Sequence, residues 1–273
     1  MFINYDHYYR DYKIELGTHD ALEYYNNKNF RDEINQLKIK FKTTLHLNLT
    51  NSDIVINAYA LNNVDYLYLP GCKNLTDVCG LRTQKELNLG YCSGIVDVGM
   101  LGNIHTLNLS FTNIVDVSNL NNVYSLALNG CKKLINVTNL NRTHILNLSD
   151  CPNIKNLTNL DHVNTLIINN CKKIKDVGNL INVEILSFLD CKHIKDIGNL
   201  RNLKKLTINS HVNGIQFLKK LKFLIIYSFL KIKKPCLINK DPRISSIKNQ
   251  IKKLKRTNYY VVVSMPCSSI FIK

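Results

Sequence analysis

The side chains able to do chemistry in this chain are its nine cysteines and eight histidines. A thiol or an imidazole becomes a nucleophile, a base or a metal ligand only when a second such group stands at a matching distance. The cysteines form no C-x-x-C pair; even Cys72 and Cys79 are seven residues apart. The histidines are scattered and build no triad. No phosphate-cradling G-x-x-x-x-G-K-S/T, no G-x-S-x-G and no H-E-x-x-H occurs. No catalytic residue, metal site or cofactor is therefore expected, and the chain reads as non-enzymatic.

Six of the cysteines instead share one position of an internal repeat. Its clearest copy is Leu166–Ile185, LIINNCKKIKDVGNLINVEI, which the next 20 residues repeat almost position for position. The leucine that opens each copy recurs at Leu47, Leu67, Leu87, Leu107, Leu126, Leu146, Leu166, Leu186 and Leu206, at steps of 20 residues with a single step of 19. A weaker tenth copy begins at Leu224. The third position is always apolar (Leu49 and Phe188 among them), and apolar residues at alternate positions mark a short strand with one face buried. The sixth position holds Cys72, Cys92, Cys131, Cys151, Cys171 and Cys191, with Thr112 and His211 in two other copies. The eleventh is Asp77, Asp97, Asp116, Asp176 or Asp196, replaced by Asn136 and Asn156, and leucine returns at the fifteenth. Such a unit cannot bury its apolar face alone, so copies must stack. The D-V-x-x-L return is too short for an α-helix and suits one 3₁₀-like turn capped by the Asp side chain.

The pattern L-x-L-x-x-C-x-x-I/L resembles the leucine-rich repeat, in the cysteine-containing form seen in F-box adaptors of ubiquitin ligases. The copy from Leu107 to Ile114, L-x-L-x-x-T-x-I, is one residue shorter and resembles the ordinary form. The 20-residue length is nearer to short-type repeats than to the helix-bearing adaptor units. The resemblance covers roughly residues 44 to 228. It implies an α/β-type leucine-rich-repeat solenoid: a parallel β-sheet on the concave face, short 3₁₀ turns or loops on the convex face, and a helical N-terminal cap. Residues 1–43 are then the partly helical cap, 44–228 the solenoid and 229–273 a basic C-terminal cap or tail.

On such a fold the strand residues flanking the buried leucines face outward. They are mostly small and polar, as at Glu86, Asn88, Asn108 and Asn147, with an aromatic edge at Tyr66 and Tyr68 and an apolar patch at Ile167, Ile185 and Leu189. Exposed aromatic and apolar groups on a concave surface are candidates for a protein partner, of unknown identity. Lysines that follow the cysteine position (Lys132, Lys133, Lys172, Lys173, Lys192) stack into a basic edge. Between Lys219 and Arg256 there are 13 Lys or Arg and one acid, Asp241, which supplies most of the net charge of +16. That edge and tail raise a second reading, nucleic-acid association through phosphates. The stretch Arg243–Arg256 reads as an amphipathic helix, and Phe223–Leu230, Tyr259–Ser264 and Ile270–Lys273 as strands.

In residues 1–43, Thr18 gives a capping-box-like start, and Ile34, Leu37 and Phe41 fall at helical spacing. An F-box-like ligase adaptor is a third reading, although the Leu-Pro opening of that motif is absent. No apolar run reaches 18 residues, so no transmembrane helix is expected, and the N-terminus lacks the pattern of a secretory signal. Unpaired ladder cysteines suit an intracellular protein, cytoplasmic rather than nuclear. Richness in Asn, Lys and Ile resembles coding by an AT-rich genome, a giant DNA virus for example.

Overall fold

The computed structural model describes residues 2–5, 12–209, 212–227, 260–265 and 268–272; for 2–5, 12, 260–265 and 268–272 it describes the backbone alone. They form two compact units, residues 1–143 and 144–273.

In the first unit each copy contributes one short strand. These are β3 (Thr44–Asn48), β4 (Tyr66–Tyr68), β5 (Glu86–Asn88), β6 (Thr106–Asn108) and β7 (Ser125–Ala127), paired in parallel with leucine opposite leucine: Leu47, Leu67, Leu87, Leu107, Leu126. The central leucine is buried in every strand and its two neighbours face solvent. In the second unit β8 (Ile145–Asn147), β9 (Thr165–Ile167), β10 (Ile185–Ser187), β11 (Lys205–Ile208) and β12 (Phe223–Tyr227) do the same through Leu146, Leu166, Leu186, Leu206 and Leu224. The tenth copy is thus a strand in register with the ninth. Beyond it β13 (Tyr260–Met265) pairs in parallel with β12, and β14 (Ser268–Ile272) pairs antiparallel with β13. The Arg243–Arg256 stretch lies outside the described residues.

The turns follow from side-chain chemistry. At the eleventh position, Asn57, Asp77, Asp97, Asp116, Asn136, Asn156, Asp176 and Asp196 each accept a hydrogen bond through Oδ1 from the backbone N–H two residues on, at 2.8–3.3 Å. The bond holds the first N–H of the 3₁₀ turns Tyr59–Leu61, Gly99–Leu101 and Ser118–Leu120, but the Asn or Asp stands one residue before the cap positions Ala58, Val98 and Val117, which make no side-chain bond of their own. The cysteines have a common task too. The thiol of Cys72, Cys92, Cys131, Cys171 and Cys191 donates to the carbonyl of Leu49, Leu69, Leu109, Leu148 and Ile168, the residue just past the strand of the preceding copy, at 2.9–3.2 Å. A small apolar group with one weak donor fits that slot. Thr112, in the short copy, donates instead to Leu109 of its own copy at 2.6 Å.

The N-terminal segment departs from the sequence reading in four ways. First, β1 (Phe2–Tyr5) and β2 (Tyr12–Leu16) form an antiparallel pair that extends the sheet through β2–β3 pairing. Second, there are two helices, α1 (Thr18–Asn26) and α2 (Lys28–Lys40), because Asn27 leaves helical geometry and its side chain accepts from the N–H groups of Asn29 and Phe30. Third, Thr18 is inside α1 and Gly17 is the cap residue, without a side-chain capping bond. Fourth, Phe41 is exposed, since α2 ends before it and the chain turns at Lys42 with φ 48°. The helices are tied down locally. The Arg31 guanidinium donates to the carbonyls of Tyr24 and Tyr25 at the end of α1, and Lys38 pairs with Asp65 at 2.7 Å.

Candidate functional site

The outward side of the sheet in the first unit gathers most of the aromatic candidates. β3 and β4 stand side by side, so His46 stacks on Tyr66 with centroids 4.2 Å apart. Burial under that ring lowers the His46 pKa below its ordinary value. Tyr66 pairs with Glu86 across β4–β5, which brings the Glu86 carboxylate near the Tyr68 hydroxyl. Partial burial first, and that carboxylate second, push the Tyr68 pKa up to about 12. Tyr66, Tyr68 and Glu86 therefore form one half-buried cluster.

The asparagines are differently employed. Asn88, Asn108 and Asn147 each turn their side-chain oxygen back onto the N–H of Gly90, Ser110 and Ser149, ending their strands. Their acceptors are occupied, and their first role is structural. In the second unit Ile145 and Ile185 are exposed on either side of Thr165, and Ile167 is half-buried opposite Asn147 and Ser187. Leu189 lies beyond β10, and its N–H donates to the Asn169 side chain.

The nominated lysines are exposed. Lys132 and Lys133 belong to the first unit, Lys172, Lys173 and Lys192 to the second. Lys173 donates to Asn153 at 2.7 Å. Lys172, Lys192 and His193 border a concavity of about 400 Å³ shared with Asn170 and Asp190. Asp150 and Asp190 alternate with these cations and bind the amides of Asn170 and Asn209, so this edge is of mixed charge.

Sequence reasoning missed the fifth position of the copy. There the backbone turns left-handed: Asn51, Gly71, Tyr91, Phe111 and Gly130 in the first unit, Asp150, Asn170 and Asp190 in the second, with φ of 56–75°. Gly, Asn and Asp tolerate that region, whereas bulky side chains are outliers there. Tyr91 and Phe111 occupy it nonetheless, 59% and 39% exposed, their rings stacked at 4.6 Å. The signal was in the sequence as two aromatics where other copies carry Gly, Asn or Asp. Phe111 leans over Gly130, where a Cβ would run into its ring.

No family model and no curated protein matches this chain. Solved structures do. An internalin (inlF) from Listeria monocytogenes is 22% identical, covers 64% of this chain and has a TM-score of 0.50. The match covers 61% of that internalin's own length. One parallel strand per 20-residue copy, leucine over leucine, settles the architecture with that likeness. The fold is a leucine-rich-repeat solenoid. A leucine-rich-repeat protein from Leptospira interrogans (16% identical, 84% of this chain and 74% of that one, TM-score 0.43) is also similar. So is the functional domain of InlJ from Listeria monocytogenes, described as including a cysteine ladder (14%, 68% and 62%, 0.33). Among the described residues of this solenoid no helix is long and apolar enough to cross a membrane.

Proposed function

We propose that this solenoid is a non-enzymatic scaffold whose protein partner lies against the outward sheet face of the first unit. The contact runs from Tyr66, Tyr68 and Glu86 to the Tyr91–Phe111 stack. The observation that carries the reading is that stack. Left-handed backbone costs a side-chain-bearing residue about 1–2 kcal/mol, and one stacked pair returns only about 0.5–1.5 kcal/mol. Glycine would serve the turn with less strain, so the two rings are accounted for by contact with something outside the chain. Asn147, Ile167, Ile185 and Leu189 supply a second, more apolar face on the other unit.

The alternatives have less support. The mixed charge of the Lys172–Lys192 edge is a poor match to phosphate. The pairing of β2 with β3 and the Lys38–Asp65 ion pair favour residues 1–43 as a cap of the ladder in 44–228, rather than as a ligase-docking module. Within 229–273, the described strands β13 and β14 continue the sheet. Buried cysteines that form no disulfide among the described residues fit a reducing, intracellular compartment.

The test is affinity capture at near-physiological salt, with and without nuclease, using the wild-type chain and Tyr91→Gly/Phe111→Gly. A set of proteins that survives nuclease and is lost with the double variant, while its thermal midpoint stays near wild type, supports the proposal. Capture that nuclease abolishes would refute it in favour of nucleic acid.

A further inference from the structure

A different surface of the first unit carries a ladder that the sheet-face reading does not use. The tenth position of the copy precedes the capping Asp, and the fold turns it to solvent. The second unit fills it with Lys155, Lys175 and Lys195. The first unit fills it with Ile56, Thr76, Val96, Val115 and Ile135. Val96, Val115 and Ile135 are 65%, 57% and 63% exposed in three consecutive copies. The position accepts lysine elsewhere, so nothing in the repeat requires an apolar group here. A contiguous exposed apolar row marks a contact surface.

Charge beside the row says what contact. Asp97 and Asp116, one residue along, are exposed. Each uses Oδ1 on a backbone N–H, and no described Lys or Arg forms an ion pair with either. They border a concavity of about 270 Å³ with Val96, Gly99 and Ser118. Apolar side chains would settle on the row while a cation entered between the two carboxylates.

Spacing selects the backbone of the occupant. The parallel bridge between Asn57 and Asp77 sets the return segments of the first two copies at strand-pairing distance, about 4.8 Å, and the same step is carried along the row. Val96 to Ile135 then spans two steps, about 10 Å. A helix laid along the row presents residues i, i+3 and i+7 over about 10.5 Å. An extended peptide presents i, i+2 and i+4 over about 13 Å and runs out of step. We infer that the Val96–Val115–Ile135 row with Asp97 and Asp116 docks a basic amphipathic helix of a partner protein.

The experiment uses the full chain and a fluorescent 18-residue amphipathic Leu/Lys peptide, read by anisotropy, with a Leu/Glu peptide of the same pattern as control. A chain of net charge +16 repels a basic peptide overall, so its binding is diagnostic. Val96→Ser/Val115→Ser/Ile135→Ser and, separately, Asp97→Asn/Asp116→Asn should each weaken Leu/Lys binding about tenfold or more. Asn keeps the turn acceptor, so the second variant stays folded. Should the triple variant misfold, Val115→Lys, the residue type used in the other unit, replaces it. Absence of Leu/Lys binding, or affinity unchanged by both variants, would overturn the inference. A wild-type dimer that the row variants dissolve would overturn it too, by assigning the row to a second copy.

Discussion

Thr143 offers the cleanest quantitative test of the stacking rules. It stands at the eighteenth position of its copy, where Ile104 and Val123 stand in the two before it. It is fully buried, and its hydroxyl has no partner among the described residues. Gln84, the other polar residue at this position in the first unit, is long enough to reach back and donate to the carbonyls of Leu61 and Asn62. Threonine is too short to do so. A buried hydroxyl left unsatisfied costs about 1–3 kcal/mol. Thr143→Val keeps the branched shape and replaces that hydroxyl by a methyl, so it should stabilise by about 1–2 kcal/mol. In a chain of this size that raises the thermal midpoint by roughly 2–4 °C per kcal/mol. The assay is urea denaturation followed by far-ultraviolet circular dichroism, with the midpoint rising at unchanged slope. Thr143→Ala removes the hydroxyl but opens a cavity, and should leave the midpoint near wild type. Gln84→Leu should lower it, because two carbonyls lose their donor. A fall in midpoint for Thr143→Val would refute the reasoning and show that the hydroxyl is satisfied in solution.

Leu166→Asp buries an unpaired charge in the centre of β9 and should abolish cooperative folding, seen as lost circular dichroism; a folded, soluble variant contradicts the ladder. Burial pushes the thiols of Cys92 and Cys171 up to about 12 and that of Cys191 to about 11, so a thiol reagent at pH 8 should label the exposed Cys79 and reach those three only in denaturant, as mass spectrometry of the peptides would show. The N–H and hydroxyl of Ser118 hold the Asp116 carboxyl below its ordinary 3.8. A depressed folded value means stability that is present above 3.8 and lost as pH falls through the lower folded pKa. Acid unfolding of Asp116→Asn should therefore depend less steeply on pH than that of wild type, and identical curves would deny the shift.

The ladder was legible because a 20-residue period repeats the same burial requirement in every copy; Leu166 pairs with Leu186 as that spacing demands, and Leu224, 18 residues after Leu206, still pairs with it. The N-terminal strands were not legible, since Phe2–Tyr5 and Tyr12–Leu16 have no copy elsewhere to reveal their register. Helical spacing alone placed Phe41 with Ile34, whereas the chain turns away at Lys42. Asn27 splits the helical segment through its own side chain, a local competition that periodicity does not register. On the candidate face, outward-pointing positions could be counted off, but not which asparagines are already bonded. Tyr91 and Phe111 escaped because the left-handed turn they occupy is a backbone property shared with glycines.

The cysteine bonds also bear on how such a chain changes over generations. Cys171 reaches back 23 residues to Leu148, as Cys191 does to Ile168, and Asn182 reaches back 21 to Asp161, as Asn202 does to Ile181. Because donor and acceptor recur in phase, removing or duplicating one whole copy rejoins equivalent partners. Recombination between copies of the gene segment can therefore lengthen or shorten the sheet in whole steps of about 4.8 Å. Loss of a single residue is another matter: in the 19-residue copy the slot holds Thr112, which binds within its own copy. Copy number is thus the inherited variable that this architecture can alter most freely, and reach along the sheet face follows from it.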